Sequence, residues 1–198
     1  MELDYMAITD ELRAARRELR RLKDVMEHPG YKGGRELSGI RNARRRMESA
    51  RRKLIEVGGS YTPSAVERRD EEFNRSLPYI SKIELYLCSY LGGSLKKTVR
   101  FNDGEATVET DGLLLFENNT CPVEAVDKKR FLKSLKALHI GEWRRKYDLS
   151  RFGILVCDGV YWSIGFYYSN GIRAKKFSGS NRFPYNFSRL LEIFGVER

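Results

Sequence analysis

The chain has 198 residues, of which 41% are hydrophobic and 12% aromatic, with 37 Lys and Arg against 27 Asp and Glu. That length and apolar content suit one ordinary domain with an appendage and exclude a disordered chain. The net charge of +10 points to a polyanion or an acidic partner, and no run approaches the roughly 20 apolar residues of a membrane span.

The first third reads as two helices. Ile8, Leu12, Ala15, Leu19, Leu22 and Met26 recur at alternating spacings of four and three, as do Ile40, Ala43, Met47, Ala50, Leu54 and Val57. Such a seam buries one narrow stripe against a partner helix. Between the two lies His28-Pro29-Gly30-Tyr31-Lys32-Gly33-Gly34, which stops a helix and permits a reversal. The expected element is an antiparallel helical hairpin over residues 1–58. Its first helix starts at Thr9 as a cap, its second starts near 35–38, and Gly58-Gly59 ends it.

From Arg13 to Lys53 there are 15 Lys and Arg against five acids, so this segment alone carries a net +10 and the remainder balances. Most of these cations are arginine, whose planar fork grips phosphate or carboxylate as lysine cannot. Arg13, Arg16, Arg17, Arg20, Arg21, Arg41, Arg44, Arg45, Arg46, Arg51, Arg52 and Lys53 are therefore the expected contacts to nucleic acid or another partner. The competing expectation is a solvated coiled-coil flank, which would carry near-balanced charge.

Residues 59–78 read as a linker containing a short helix, 65–76, with Asp70-Glu71-Glu72 on its solvent face. Beyond it, 79–198 reads as an α+β domain. Ile83, Leu85 and Leu87 alternate with Glu84, Tyr86 and Cys88, the period of a half-buried strand. A strand at 98–101 turns through Asn102-Asp103-Gly104 into 105–109, and Asp111-Gly112 introduces a run over 113–116. A helix is expected over 122–138 and strands over 152–156, 161–168 and 172–177. A last helix spans 185–194, capped by Gly179-Ser180-Asn181. Strands then helix, repeated, argue for a mainly antiparallel sheet with two helices.

Trp162, Ile164 and Phe166 read as the core face of their strand. Tyr161 and Tyr167 remain on the other face, with Lys175 and Lys176 nearby, where rings could stack on bases and lysines meet phosphates. Cys88, Cys121 and Cys157 are odd in number and lack a CxxC pair, as expected of free thiols in a reducing compartment. His28 and His139 show no metal-ligand spacing. No cofactor, no metal and no catalytic residue is therefore expected. The acidic opening Met1-Glu2-Leu3-Asp4-Tyr5 lacks the pattern of a signal peptide, so a cytoplasmic protein is expected.

Trp143-Arg144-Arg145, Tyr147, Asp158-Gly159, Trp162, Tyr168 to Gly171, Ser178 to Asn181, Phe183, Pro184 and Phe187 form a pattern across roughly 79–194. It resembles a small domain of uncharacterised proteins from gut bacteria and their mobile elements. Proteins of that size and origin include anti-CRISPR inhibitors, mostly acidic mimics of nucleic acid, from which a charge of +10 departs. The resemblance transfers no catalytic residue. It makes inhibition of an RNA-guided nuclease a candidate activity, while the arginine-rich hairpin argues for a non-catalytic binder of nucleic acid or of a ribonucleoprotein, and the helical seam leaves as the alternative a coiled-coil oligomerisation module for an acidic partner.

Overall fold

The computed structural model describes residues 2–31, 36–90, 92–102, 105–114, 124–149 and 159–196. The chain divides into two compact units, Met1–Ser64 and Ala65–Arg198.

The first unit is the expected hairpin, α1 (Glu2–Met26) against α2 (Glu36–Glu56). Leu12, Ala15, Leu19 and Leu22 of α1 and Ile40, Ala43, Ala50 and Leu54 of α2 are buried, so the seam is satisfied within one chain. Val57 falls beyond the helix and is exposed. α1 begins before Thr9, whose hydroxyl donates to the Tyr5 carbonyl at 2.9 Å inside the helix instead of capping it. α2 ends as the glycines require. Gly58 takes φ +76°, and the amides of Gly58 and Gly59 reach the Ile55 and Leu54 carbonyls at 3.0 and 2.9 Å. The segment after them returns along the hairpin, where the Tyr61 ring meets the guanidinium groups of Arg51 at 4.7 Å and Arg16 at 5.4 Å.

The second unit is α+β. Among the described residues its strands are seven: β1 (Ile80–Ser89), β2 (Gly93–Phe101), β3 (Glu105–Leu114), β4 (Glu124–Asp127), β5 (Lys146–Tyr147), β6 (Val160–Tyr168) and β7 (Lys175–Ser180). They lie in the order β4-β3-β2-β1-β6-β7-β5. Every pairing is antiparallel except β5 with β7. Leu85 sits opposite both Lys97 and Ile164, and Ile83 opposite both Val99 and Phe166, so one face collects the apolar residues. That face is covered by α3 (Ala65–Ser76), α4 (Lys128–Ala137) and α5 (Phe187–Ile193). Phe73 of α3 meets Phe166 edge-on at 5.0 Å, Phe131 of α4 meets Phe101 at 5.7 Å, and Trp162 lies 4.6 Å from Phe187 of α5.

Several boundaries differ from the sequence reading. The helix 65–76 is not a linker element. Its Phe73 is fully buried in the domain core, because the inner face of β6 needs a cover. Asp70 is likewise buried rather than solvent-facing. The strand expected to end at 109 continues through Asp111-Gly112, with Gly112 opposite Leu95, so 113 and 114 belong to β3 and not to a separate run. The helix expected from 122 starts at Lys128, because Glu124–Asp127 pairs with β3 and the Asp127 carboxylate accepts the Arg130 amide at 2.6 Å as a cap. Ser178-Gly179-Ser180 belongs to β7 rather than capping the last helix. The strand expected at 152–156, the turn at Asp103-Gly104, and Cys121, Cys157 and Asp158 lie outside the described residues.

The chain between α4 and β5 makes a 3-10 turn, Ile140–Glu142, that rests directly on α3. A Cβ on Gly141 would fall 2.4 Å from the Asp70 Cα and 2.6 Å from the Arg69 carbonyl oxygen. Backbone cannot swing aside as a side chain can, so Gly141→Ala must push the turn off α3. The expected loss is at least about 1–3 kcal/mol, read as a lower urea midpoint. An unchanged midpoint would show that this close approach is not needed.

Candidate polyanion-binding surfaces

On each hairpin helix the seam occupies one narrow stripe, so at 100° per residue the arginines fall everywhere else. Arg13, Arg17, Arg20 and Arg21 lie on the side of α1 away from the seam, and Arg41, Arg45 and Arg52 do so on α2; all seven are exposed. Some are engaged by neighbours on the surface. Arg13 pairs with Asp10 at 3.2 Å, Arg20 with Asp24 at 4.0 Å and Arg52 with Glu48 at 3.8 Å. Arg21 grips both oxygens of Glu18 at 2.9 and 3.0 Å, which holds the Glu18 carboxyl below its ordinary range and the Arg21 guanidinium above its own. Arg46 reaches across to Glu11 of the other helix at 3.7 Å.

Two of the expected contacts serve the hairpin itself. Arg16 donates to the Thr62 carbonyl at 2.9 Å and, with Arg51, brackets Tyr61, so both are half-buried. Arg44 is half-buried too. Arg17, Arg41, Arg45 and Lys53 are exposed and make no ion pair among the described residues. Near the turn, Arg17, Arg20, Arg21, His28 and Tyr31 line a broad trough of about 770 Å³. Tyr31 donates to Glu36 at 2.6 Å, which pushes its phenol up to about 12.

In the second unit Trp162, Ile164 and Phe166 do form the core face, and Tyr161 and Tyr167 lie on the other. Tyr161 is exposed and tilts against Tyr86 at 6.2 Å. Tyr167 is not an open stacking platform. Its ring lies across Gly165, Lys82 covers it at 4.4 Å and Lys176 approaches at 5.7 Å. Its hydroxyl bonds to Glu84, which raises the Tyr167 phenol.

Lys176 thus stays beside Tyr167 as expected, while Lys175 turns to Phe73 and Glu72, and both residues line a cleft of about 820 Å³ built from three separate segments. Arg69 and Glu72 come from α3, Arg144 and Arg145 from the chain after the 3-10 turn, Arg173 from the approach to β7, and Lys175 and Lys176 from its start. Among the described residues six cationic residues and one acid line the cleft, with the Lys176 ammonium lying toward Tyr167 and the acid held by Lys175 at 2.9 Å. Arg69, Arg145 and Arg173 make no ion pair among the described residues. A concave surface with low-dielectric walls of Phe73, Trp143 and Phe177 focuses such a field. Sequence reasoning missed Arg69 and Arg145 here, since nothing local links them to Lys175.

A third cluster was also invisible in sequence. Asp70, His139 and Glu142 bring one possible ligand atom each to within 4.8 Å of one another. In the sequence pattern around Trp143 and Trp162 the aromatic residues Trp143, Tyr147, Trp162 and Phe187 are buried, whereas Arg145, Gly159 and Ser169-Asn170-Gly171 are exposed. Trp143 and Trp162 meet edge-on at 6.2 Å, and their indole N–H groups donate to the Asn186 side chain and the Arg182 carbonyl. Asn181 clips the start of β6, its side-chain oxygen accepting the Val160 amide at 2.7 Å.

Comparison of the chain with protein-family models, with curated proteins and with solved structures gives no match. No helix among the described residues is long and apolar enough to cross a membrane.

Glu84 is held below its ordinary value near 4.5 chiefly by the Tyr167 hydroxyl, then by Lys82. A carboxyl lowered in the folded state contributes stability above its unfolded value, and that contribution is lost as pH falls through the lowered one. Tyr167→Phe should therefore raise the Glu84 midpoint, followed by carboxyl-carbon NMR, and narrow the acid range over which stability is lost. A midpoint unmoved in the variant would assign the depression to the lysines alone.

Proposed function

We propose that this protein is a non-catalytic binder of nucleic acid, free or within a ribonucleoprotein, and that the arginine faces of the hairpin are its main contact. The observation that carries the reading is the set of exposed cations, Arg17, Arg41, Arg45 and Lys53, that make no ion pair among the described residues. Around them stand arginines whose exposed pairs are each worth about 0–1 kcal/mol and yield readily to a phosphate. Phosphate contacts of this kind position a protein without reading sequence. The cleft of the second unit offers a further cationic surface of the same chemistry.

Burial of the hairpin seam within one chain favours this reading over an oligomerisation module, which would leave the stripe open for a second chain. The resemblance over 79–194 supports a narrower form. There the protein inhibits an RNA-guided CRISPR nuclease by occupying its guide or target channel in the cytoplasm.

Binding to labelled single- and double-stranded DNA and RNA across a salt series tests the proposal. Steep salt dependence is expected, because each neutralised phosphate contributes a slope of about −0.9 on duplex DNA. The triple variant Arg17→Glu, Arg41→Glu, Arg45→Glu should weaken binding to all sequences alike. It should also flatten the duplex slope by about 3, with the helical circular dichroism unchanged. Equal affinity and slope in the variant would overturn the hairpin as the contact. Capture only by a guide-loaded nuclease, with no binding to free nucleic acid, would select the ribonucleoprotein form.

A further inference from the structure

The contact between α3 and the 3-10 turn after α4 brings together groups 69 residues apart. Nδ1 of His139 lies 2.7 Å from Oδ2 of Asp70, and Glu142 completes a set whose ligand atoms all fall within 4.8 Å. We infer that Asp70, His139 and Glu142 form a binding site for a divalent transition-metal ion of the zinc type.

The contact between His139 and Asp70 alone leaves part of this site unexplained. Asp70 is only 7% exposed, yet its second oxygen, Oδ1, is buried with no hydrogen-bond partner. One turn along α3, Asn74 donates to Asp70 Oδ2 at 3.3 Å, while its own Oδ1 is also buried and unpartnered. Both unsatisfied atoms are acceptors. A buried acceptor of this kind is costly unless a donor or a cation meets it. One imidazole with two carboxylates is a mixed nitrogen and oxygen set that suits zinc or its neighbours better than calcium or magnesium.

The spacing allows the ion. Tetrahedral ligands at about 2.0–2.2 Å from zinc sit roughly 3.3 Å from one another, so the His139 and Asp70 atoms need part only slightly. The His139 side chain is one-third exposed and leaves an entry from solvent. His139 also holds the left-handed conformation, φ 51°, just past the end of α4, where glycine would sit without strain. From that position the imidazole is aimed at Asp70. The bound ion clamps the turn to α3 and stabilises the second unit by mass action.

The test uses the full chain, stripped with EDTA and titrated with zinc chloride by calorimetry, with magnesium chloride as the control. One equivalent of zinc is expected, with a higher thermal midpoint and no comparable response to magnesium. Glu142→Gln removes the negative charge of a half-buried carboxylate and leaves only a weak amide oxygen as ligand, and His139→Asn keeps a residue that tolerates the left-handed backbone. Each should fold by circular dichroism. Each should lose more zinc affinity than the roughly 10–100-fold that loss of an outer-shell partner costs, and lose the thermal shift with it. Absence of stoichiometric zinc binding, or zinc binding equal to wild type in both folded variants, would overturn the inference and assign the orphaned oxygens to a buried water.

Discussion

A sheet with one apolar face must cover it, and most of the second unit follows from how that is done. Ile83, Leu85, Val99, Trp162, Ile164 and Phe166 present a continuous inner face that is almost wholly withdrawn from water. Full burial of each such side chain stabilises the fold by about 1.5–3 kcal/mol, which outweighs any local preference of the covering segments. α3, though strongly polar, is drawn into the core because Phe73 fits edge-on against Phe166. Even a lysine obeys the pattern. Lys97 occupies an inward position and resolves its charge by donating to the Gly195 carbonyl at the end of α5, 3.2 Å away, where the helix dipole is negative.

The same packing makes the chemistry of this unit. Once α3 is fixed on the sheet, Gly141 lets the following turn touch it, and residues far apart in the chain become neighbours. On one side Arg69 and Glu72 join Arg145, Arg173 and Lys175 around the cleft. On the other, Asp70 meets His139. Neither group exists before the core forms, and both depend on the close approach at Gly141.

The hairpin works by a different logic. Two helices that touch along small and aliphatic residues need only a narrow stripe to hold together, and Ala15, Ala43 and Ala50 allow a close seam. Every other position is available to charge. The surplus of arginine over acid means that local pairing cannot neutralise the surface, even where Arg21 and Glu18 or Arg52 and Glu48 do pair. Two arginines, Arg16 and Arg51, are diverted to hold Tyr61, and the outer faces keep the remainder.

The seam of the hairpin was therefore legible, though not the helix start at Thr9 or the end at Val57, because its interactions repeat every three or four positions and the period is written in the chain. So were the alternating faces of β1 and β6, for which neighbours two residues apart suffice. The boundaries that failed involve longer reach. Asp111-Gly112 has turn chemistry but is carried straight through by pairing with β2, and the start of α4 is displaced because β4 finds β3. The expected stacking role of Tyr167 failed because Lys82 and Glu84 of the neighbouring strand engage it. By itself the sequence determined the helical seam, the excess of arginine around it and which residues of β1 and β6 face inward, since these are properties of local spacing and composition. Only the tertiary structure decided that α3 belongs to the core, that six cationic residues line one cleft and that Asp70 faces His139. Those juxtapositions arise from burying a sheet face shared among distant segments, and no local period encodes them.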